Sequence, residues 1–287
     1  MNSCGNLIRS LFYGLILQFL CVRSTIAEQS CQRIISLAPS ITESLYEVGL
    51  GDRVVAVTNF CKYPEAAQKL PMLGAYFDSN LEAALLLKPD LVVGLPELSQ
   101  TIEKYKELDI STLTLSNTSI HEINDSFLKL CDICGCEQRA QELVRNLTQR
   151  VETIHQSLEL KPKLKVAVLV VSAIGPELKE FYLSGSDGYY SSLLDAVNAS
   201  NVITSKTISL PMLSLESLAV LQPQIVFVIE GQKNSLSKLE IELKSYIPNV
   251  QLHYLQQDYA SIPGPRFIYL LEDMKLIIQK YYADSHT

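Results

Sequence analysis

Residues Glu137 to Leu160 run without proline or glycine and set Ala140, Leu143, Val144, Leu147, Val151, Ile154 and Leu158 at helical spacing. Apolar residues recurring at i, i+3, i+4 and i+7 describe one long amphipathic helix with a single face to bury. It stops at Lys161 and Pro162, because proline cannot continue a helix. On either side, short β-branched runs alternate with helical segments, the pattern of βα units around a mostly parallel sheet. A rigid helix between two such series restricts the chain to an α/β fold of two mostly parallel-sheet lobes joined by that helix. The expected division is an N-terminal lobe over 28–136, a linking helix over 137–162 and a C-terminal lobe over 163–287.

In the first half, strands are predicted at Arg33–Leu37, Arg53–Val57, Asp90–Gly94 and Ser111–Leu115. Ser40 with Glu43 three residues on reads as a capping box opening a helix to Val48, with Gly49 as its stop. The second half predicts strands at Lys165–Val171, Gln224–Ile229 and Gln251–Leu255, and helices at Ser191–Val197 and from about Pro265 to Tyr281.

The halves echo each other. Leu81 to Val92 parallels Leu215 to Val226: a capping residue (Asn80, Ser214), a glutamate in the first turn (Glu82, Glu216), and a proline seven residues later (Pro89, Pro223) that hands the chain to a buried strand. The echo predicts two lobes related by an approximate two-fold axis, with Glu82 and Glu216 at equivalent points. A first-turn carboxylate also gains roughly 0.3–1 kcal/mol from the helix dipole wherever the helix points.

At 287 residues with 47% hydrophobic content, the chain is long enough for two cores. Its net charge of −7 includes no long basic run, which excludes a nucleic-acid partner. Arg9 followed by the apolar stretch Leu11 to Val22 reads as an export signal over 1–27, with Thr25 and Ala27 offering a cleavage site before Glu28. The expected product is an exported, periplasmic monomer starting near Glu28, with a short membrane anchor retained at the N-terminus as the alternative. Of seven cysteines, Cys4 and Cys21 leave with the signal, and the odd remainder leaves at least one thiol unpaired in an oxidising compartment. Cys131, Cys134 and Cys136 lack a fourth ligand at zinc spacing, which disfavours a metal site. Packing thiols are the favoured reading, ahead of a disulfide within the cluster or from Cys31 to Cys61. Cys131 and Cys134 fall on the last turn of a helix ending at Gly135.

Four segments together resemble one family. They are Arg33-Ile34-Ile35-Ser36-Leu37-Ala38-Pro39-Ser40-Ile41-Thr42-Glu43, Tyr63-Pro64-Glu65-Ala66, Asn80-Leu81-Glu82 through Lys88-Pro89-Asp90-Leu91-Val92, and Pro263-Gly264-Pro265-Arg266. The sequence resembles the binding proteins of ABC importers for cobalamin, ferric siderophores and haem. Through Asn59 to Pro64 and Leu73 to Tyr76 it looks most similar to the cobalamin receptors. That resemblance implies a ligand cleft between the lobes and no catalysis. It places Tyr63 and Tyr76 on one wall, and Tyr182, Asp258 and Tyr259 on the other. Ser40 joins them as a ligand-binding candidate. It implies a permease dimer with ATPase subunits as the partner, docked through Glu82 and Glu216. The expected cargo is cobalamin, with no resident cofactor and no metal. One departure stands out: the cobalamin receptors use several tryptophans around the corrin, whereas this chain has none and holds Tyr76, Leu95 and Leu210 at the matching positions.

Two other classes are weighed. An exported α/β hydrolase or metal-dependent enzyme would need a nucleophile elbow or a metal-binding helix, and neither motif occurs. The run Ser184 to Gly188 reads as a turn before a helix, and His121, His155 and His253 have no convergent carboxylate. A sensor built on the same two lobes is the third reading.

Overall fold

The computed structural model describes residues 31–75, 79–170, 180–205, 210–229 and 233–284. The signal segment over 1–27 lies outside them. The first sheet has the parallel order β2-β1-β3-β4, from β1 Ile34–Ser36, β2 Val54–Val57, β3 Leu91–Gly94 and β4 Ser111–Thr114. Its helices are α1 Pro39–Glu47, α2 Leu81–Leu86, α3 Ser99–Lys106 and α4 Ile120–Cys134. Helix α5, Glu137–Gln156, follows. The second sheet, also parallel, has the order β10-β9-β5-β7, from β5 Leu164–Val170, β7 Ala199–Asn201, β9 Ile225–Ile229 and β10 Gln251–Leu255. A small antiparallel pair joins β6 Glu180–Tyr182 to β8 Met212–Ser214. The remaining helices are α6 Tyr189–Ala196, α7 Leu215–Leu221, α8 Lys233–Tyr246 and α9 Phe267–Asp284.

The period of two along each strand sorts the core into three parts. Ile35 and Val92 face a core shared with Ala84, Ile102 and Tyr105 on the outside of the first sheet. Ala167, Leu169, Val226 and Val228 do the same on the outside of the second, against Leu218, Leu239 and Leu243. The alternate residues, Ile34 and Val93 in one sheet and Val166, Val168, Phe227 and Ile229 in the other, belong to a single inner core. All seven apolar positions that the periodicity assigns to the long helix lie in or against that inner core. Helix α5 joins the two lobes, and its apolar stripe is packing shared by both. Arg150 of α5 adds an ion pair to Glu272 of α9 at 2.7 Å and stands over the Tyr269 ring.

Two expectations are corrected. The capping box at Ser40 does not form. Helix α1 starts at Pro39 with Ala38 as its N-cap, whose side chain makes no cap bond, so Ser40 lies inside the first turn. Proline is favoured at that first position because its missing N–H would be unsatisfied there anyway. Glu43 is thereby free for another partner. The cysteines are not packing thiols either. Cys31 bonds Cys134 and Cys131 bonds Cys136, leaving Cys61 as a buried free thiol whose pKa is pushed up by burial. Cys131–Cys136 is the disulfide within the cluster that the sequence ranks second, whereas Cys31 pairs with Cys134 and not with Cys61. The helix end at Gly135, with φ at +71°, turns the chain so that both bonds can meet at the α4–α5 junction.

The Cys31–Cys134 bond closes a loop with a sequence separation of 103, so it restricts the unfolded chain strongly. Replacing both cysteines by alanine should lower stability by roughly 2–4 kcal/mol in guanidinium titrations. A chain beginning at Glu28 should titrate one thiol with Ellman's reagent after unfolding without reductant, and essentially none while folded.

Candidate functional site

In open α/β sheets, ligand crevices form outside the carboxyl ends of the strands, where the strand order reverses. In the first sheet that point lies between β1 and β3. A cavity of about 250 Å³ opens there. Ala38 to Ser40 line it just after β1, Leu95 and Glu97 just after β3, and Asn117 after β4. Ser261, Ile262 and Pro263, which follow β10 of the second sheet, close it from across the gap. The cavity is thus an inter-lobe cleft. Asn117 Nδ2 donates to Ser40 Oγ at 3.1 Å, fixing two polar side chains on its wall.

Beside this cavity the lobes touch through charge. Arg266, ahead of α9, donates from Nη2 to Glu43 Oε1 at 2.6 Å and from Nε to Oε2 at 2.9 Å. A third bond runs from Nη1 to Asp258 Oδ1 at 2.8 Å. The fork geometry of guanidinium suits this bidentate grip on a carboxylate. Glu43 and Arg266 are both buried. Burial pushes the Glu43 carboxyl above its ordinary range, against the pull of Arg266. For Arg266 burial acts the other way, yet its bonds to Glu43 and Asp258 outweigh it and hold the guanidinium charged. Gly264 permits the approach: a Cβ there would lie 3.3 Å from Glu43 Oε2 and 3.4 Å from Ser40 Cα.

The guanidinium carbon of Arg266 stands 3.9 Å from the Tyr63 ring centroid and 5.7 Å from that of Tyr259. Tyr63 still leaves 43% of its surface exposed. Tyr259 donates to Asp273 at 2.7 Å, and its pKa is pushed up to about 12 by burial and by that carboxylate. The hydroxyl of Tyr189, on the N-terminal turn of α6, is buried with no hydrogen-bond partner. Burial drives its pKa well up, and Tyr190 and Glu43 add to the shift.

Of the residues singled out in the sequence, Ser40, Tyr63, Asp258 and Tyr259 therefore converge around Arg266. Asp258 gives Oδ1 to Arg266 while its side chain stays 67% exposed. Tyr182 sits on the β6–β8 pair opposite Met212, 49% exposed, and is not brought into that cluster. Tyr76 lies outside the described residues. Glu97, Asn117, Ser261 and Ile262 were not singled out, because only the return of β4 and β10 to one crevice brings them there. Arg266 stood in a quoted segment without a role, and Glu43 carried only its capping-box reading. Their charge complementarity across 223 positions was the one available signal.

The repeated helices α2 and α7 lie on different lobes. Asn80 accepts from the Ala83 N–H at 3.0 Å and Ser214 from the Ser217 N–H at 3.2 Å, so both predicted caps form. Each helix then ends through a positive-φ residue ahead of proline, Lys88 at +47° and Gln222 at +51°. Glu82 and Glu216 are exposed. Glu216 accepts from the Tyr246 hydroxyl at 3.0 Å, and its own N–H, Ser214 and Tyr246 together lower its pKa.

The sequence profile of the family described as periplasmic binding protein matches residues 34–244. A vitamin B12-binding protein of Vibrio vulnificus is 26% identical over 254 residues, covering 85% of this chain and 88% of the relative. An uncharacterized ABC transporter substrate-binding lipoprotein of Bacillus subtilis, YvrC, is 26% identical over 262 residues, covering 88% and 81%. Among solved structures, the periplasmic vitamin B12 binding protein BtuF of Vibrio cholerae superposes with a TM-score of 0.74 at 23% identity, covering 87% of this chain and 98% of that one.

Removing one partner of a buried ion pair strands the other, at a cost of about 3 kcal/mol or more. Glu43→Gln and Arg266→Met should each destabilise the protein by about that much in chemical denaturation. The double variant should cost clearly less than the sum, since neither charge is then left alone.

Proposed function

The chain belongs to the periplasmic binding protein family, and from that premise we propose that it captures cobalamin between its lobes and delivers it to the permease of an ABC importer. The observation that carries this reading is the inter-lobe cleft at the strand ends. A corrin is a broad, largely apolar plate with a polar rim, so it needs aromatic area and a few rim donors and acceptors. Tyr63 offers an accessible ring, and Ser40 and Asn117 offer polar groups already fixed in orientation. Tyr76, Tyr182, Asp258 and Tyr259 complete the candidate contacts. The named B12-binding relatives favour cobalamin over haem or a ferric siderophore.

The protein binds and releases; the ligand is cargo rather than cofactor. Export through the segment 1–27, with cleavage near Ala27, puts the mature monomer in the periplasm. Among the described residues no helix is long and apolar enough to cross a membrane. Glu82 and Glu216 project from separate lobes as two anionic contacts for a permease dimer driven by its ATPase subunits. Complementary charge sets register and encounter rate in such contacts. Because the inner core is common to both sheets, the lobes flex by small adjustments rather than by wide hinge opening. Release then depends on the permease prising the cleft apart at those two contacts.

Calorimetric titration of the chain from Glu28 onward with cobalamin, haem and a ferric siderophore tests the ligand. Cobalamin should bind one to one, and Tyr63→Ala should weaken it roughly tenfold through lost ring contact. Haem or siderophore binding without cobalamin binding would overturn the ligand and keep the transport role. Glu82→Lys combined with Glu216→Lys should abolish uptake while leaving the calorimetric affinity unchanged.

A further inference from the structure

We infer that each docking helix carries, beside its glutamate, an apolar knob for a pocket on the permease: Leu86 on α2 and Val220 on α7. The inference rests on the docking role proposed for Glu82 and Glu216. Leu86 is 83% exposed and Val220 81%. Each follows its glutamate by four residues, one helical turn on, so carboxylate and aliphatic side chain share a face. Ala84 and Leu218, two residues after the glutamates, are fully buried and turn that shared face outward.

A single exposed leucine needs no explanation. Here the same class of side chain recurs at the same position of both halves, each time a turn from an acid. Lone helix stability does not call for this, since β-branched valine is a weaker helix former than many polar residues. The adjacent charge narrows the occupant. An anionic lipid surface would be repelled by the two carboxylates and by a chain of net charge −7. A second copy of this chain in an isologous contact would set like carboxylates together. A protein that presents a cation next to an apolar pocket, twice, matches both features, and a permease dimer offers paired surfaces. At the second site Tyr246, bonded to Glu216 and 46% exposed, adds part of an aromatic ring to the contact.

Charge and knob should act on different rate constants. Long-range charge governs encounter, while buried short-range contact governs dissociation. The test measures association and dissociation of the labelled chain from Glu28 onward on right-side-out membrane vesicles of its host cells. Leu86→Ala and Val220→Ala should each speed dissociation about five- to tenfold, with association and cobalamin affinity unchanged. Their effect should persist at raised ionic strength, where that of Glu82→Lys and Glu216→Lys fades. If the lysine variants alter docking and the alanine variants do not, the knobs are overturned and the docking glutamates stand. If the lysine variants change nothing, or no saturable binding occurs, the docking role falls and this inference with it. Binding of equal strength to protein-free liposomes, lost in the alanine variants, would make the patch a lipid contact and overturn the permease assignment.

Discussion

The stripe on α5 is common property of two sheets, and the rest of the molecule follows from that. Ala140, Leu147 and Ile154 are buried in a core that contains Ile34 and Val93 of the first sheet and Val166 and Phe227 of the second. Interiors pack at close to crystal density, so a shared core transmits strain rather than absorbing it. The sheets are thereby held with their strand ends facing one crevice. Each lobe keeps a private outer core as well. The disulfide from Cys31 to Cys134 ties the start of β1 to the end of α4, bracing the junction from which α5 departs.

At the cleft the fixed distance is maintained by charge instead of apolar contact. A buried ion pair contributes little net stability once desolvation is counted, but it tolerates few alternative geometries. Glu43 and Arg266 meet with two bonds, a third goes to Asp258, and Tyr63 stacks on the guanidinium. The aromatic ring proposed to hold the cargo is therefore coupled directly to the contact between lobes. Any ligand that displaces Tyr63 also disturbs the guanidinium, and any force that parts the lobes must break the bidentate grip. Tyr189, whose buried hydroxyl has no partner among the described residues, lies in the inner core common to both sheets.

The sites proposed for capture and for docking occupy different parts of the repeat. The strand ends form the cleft, whereas the short helices α2 and α7 carry their glutamates on exposed faces of separate lobes. The two sites are alike in capping and in the residue before proline, but Tyr246 holds only the second carboxylate. Duplicated secondary structure accounts for the likeness. The difference arises where α8 packs beside α7, a contact that the repeat itself does not contain.

Hydrophobic periodicity along the chain determined the two parallel sheets, the long helix and its buried face, because each depends on which residues must leave water within one element. The caps at Asn80 and Ser214 were legible for the same local reason: donor and acceptor are three residues apart. Ser40 and Glu43 match the same local pattern, yet Pro39 begins the helix with Ala38 as its N-cap, two residues ahead of Ser40, and an arginine 223 positions away claims the glutamate. Cysteine pairing was equally out of reach, since Cys31 finds Cys134 only when β1 and α4 are docked. Glu97, Asn117, Ser261 and Ile262 enter one crevice through the order of strands, which local spacing does not encode. Elements are chosen by short-range burial and capping, and a site is chosen by which ends of those elements the shared core brings together.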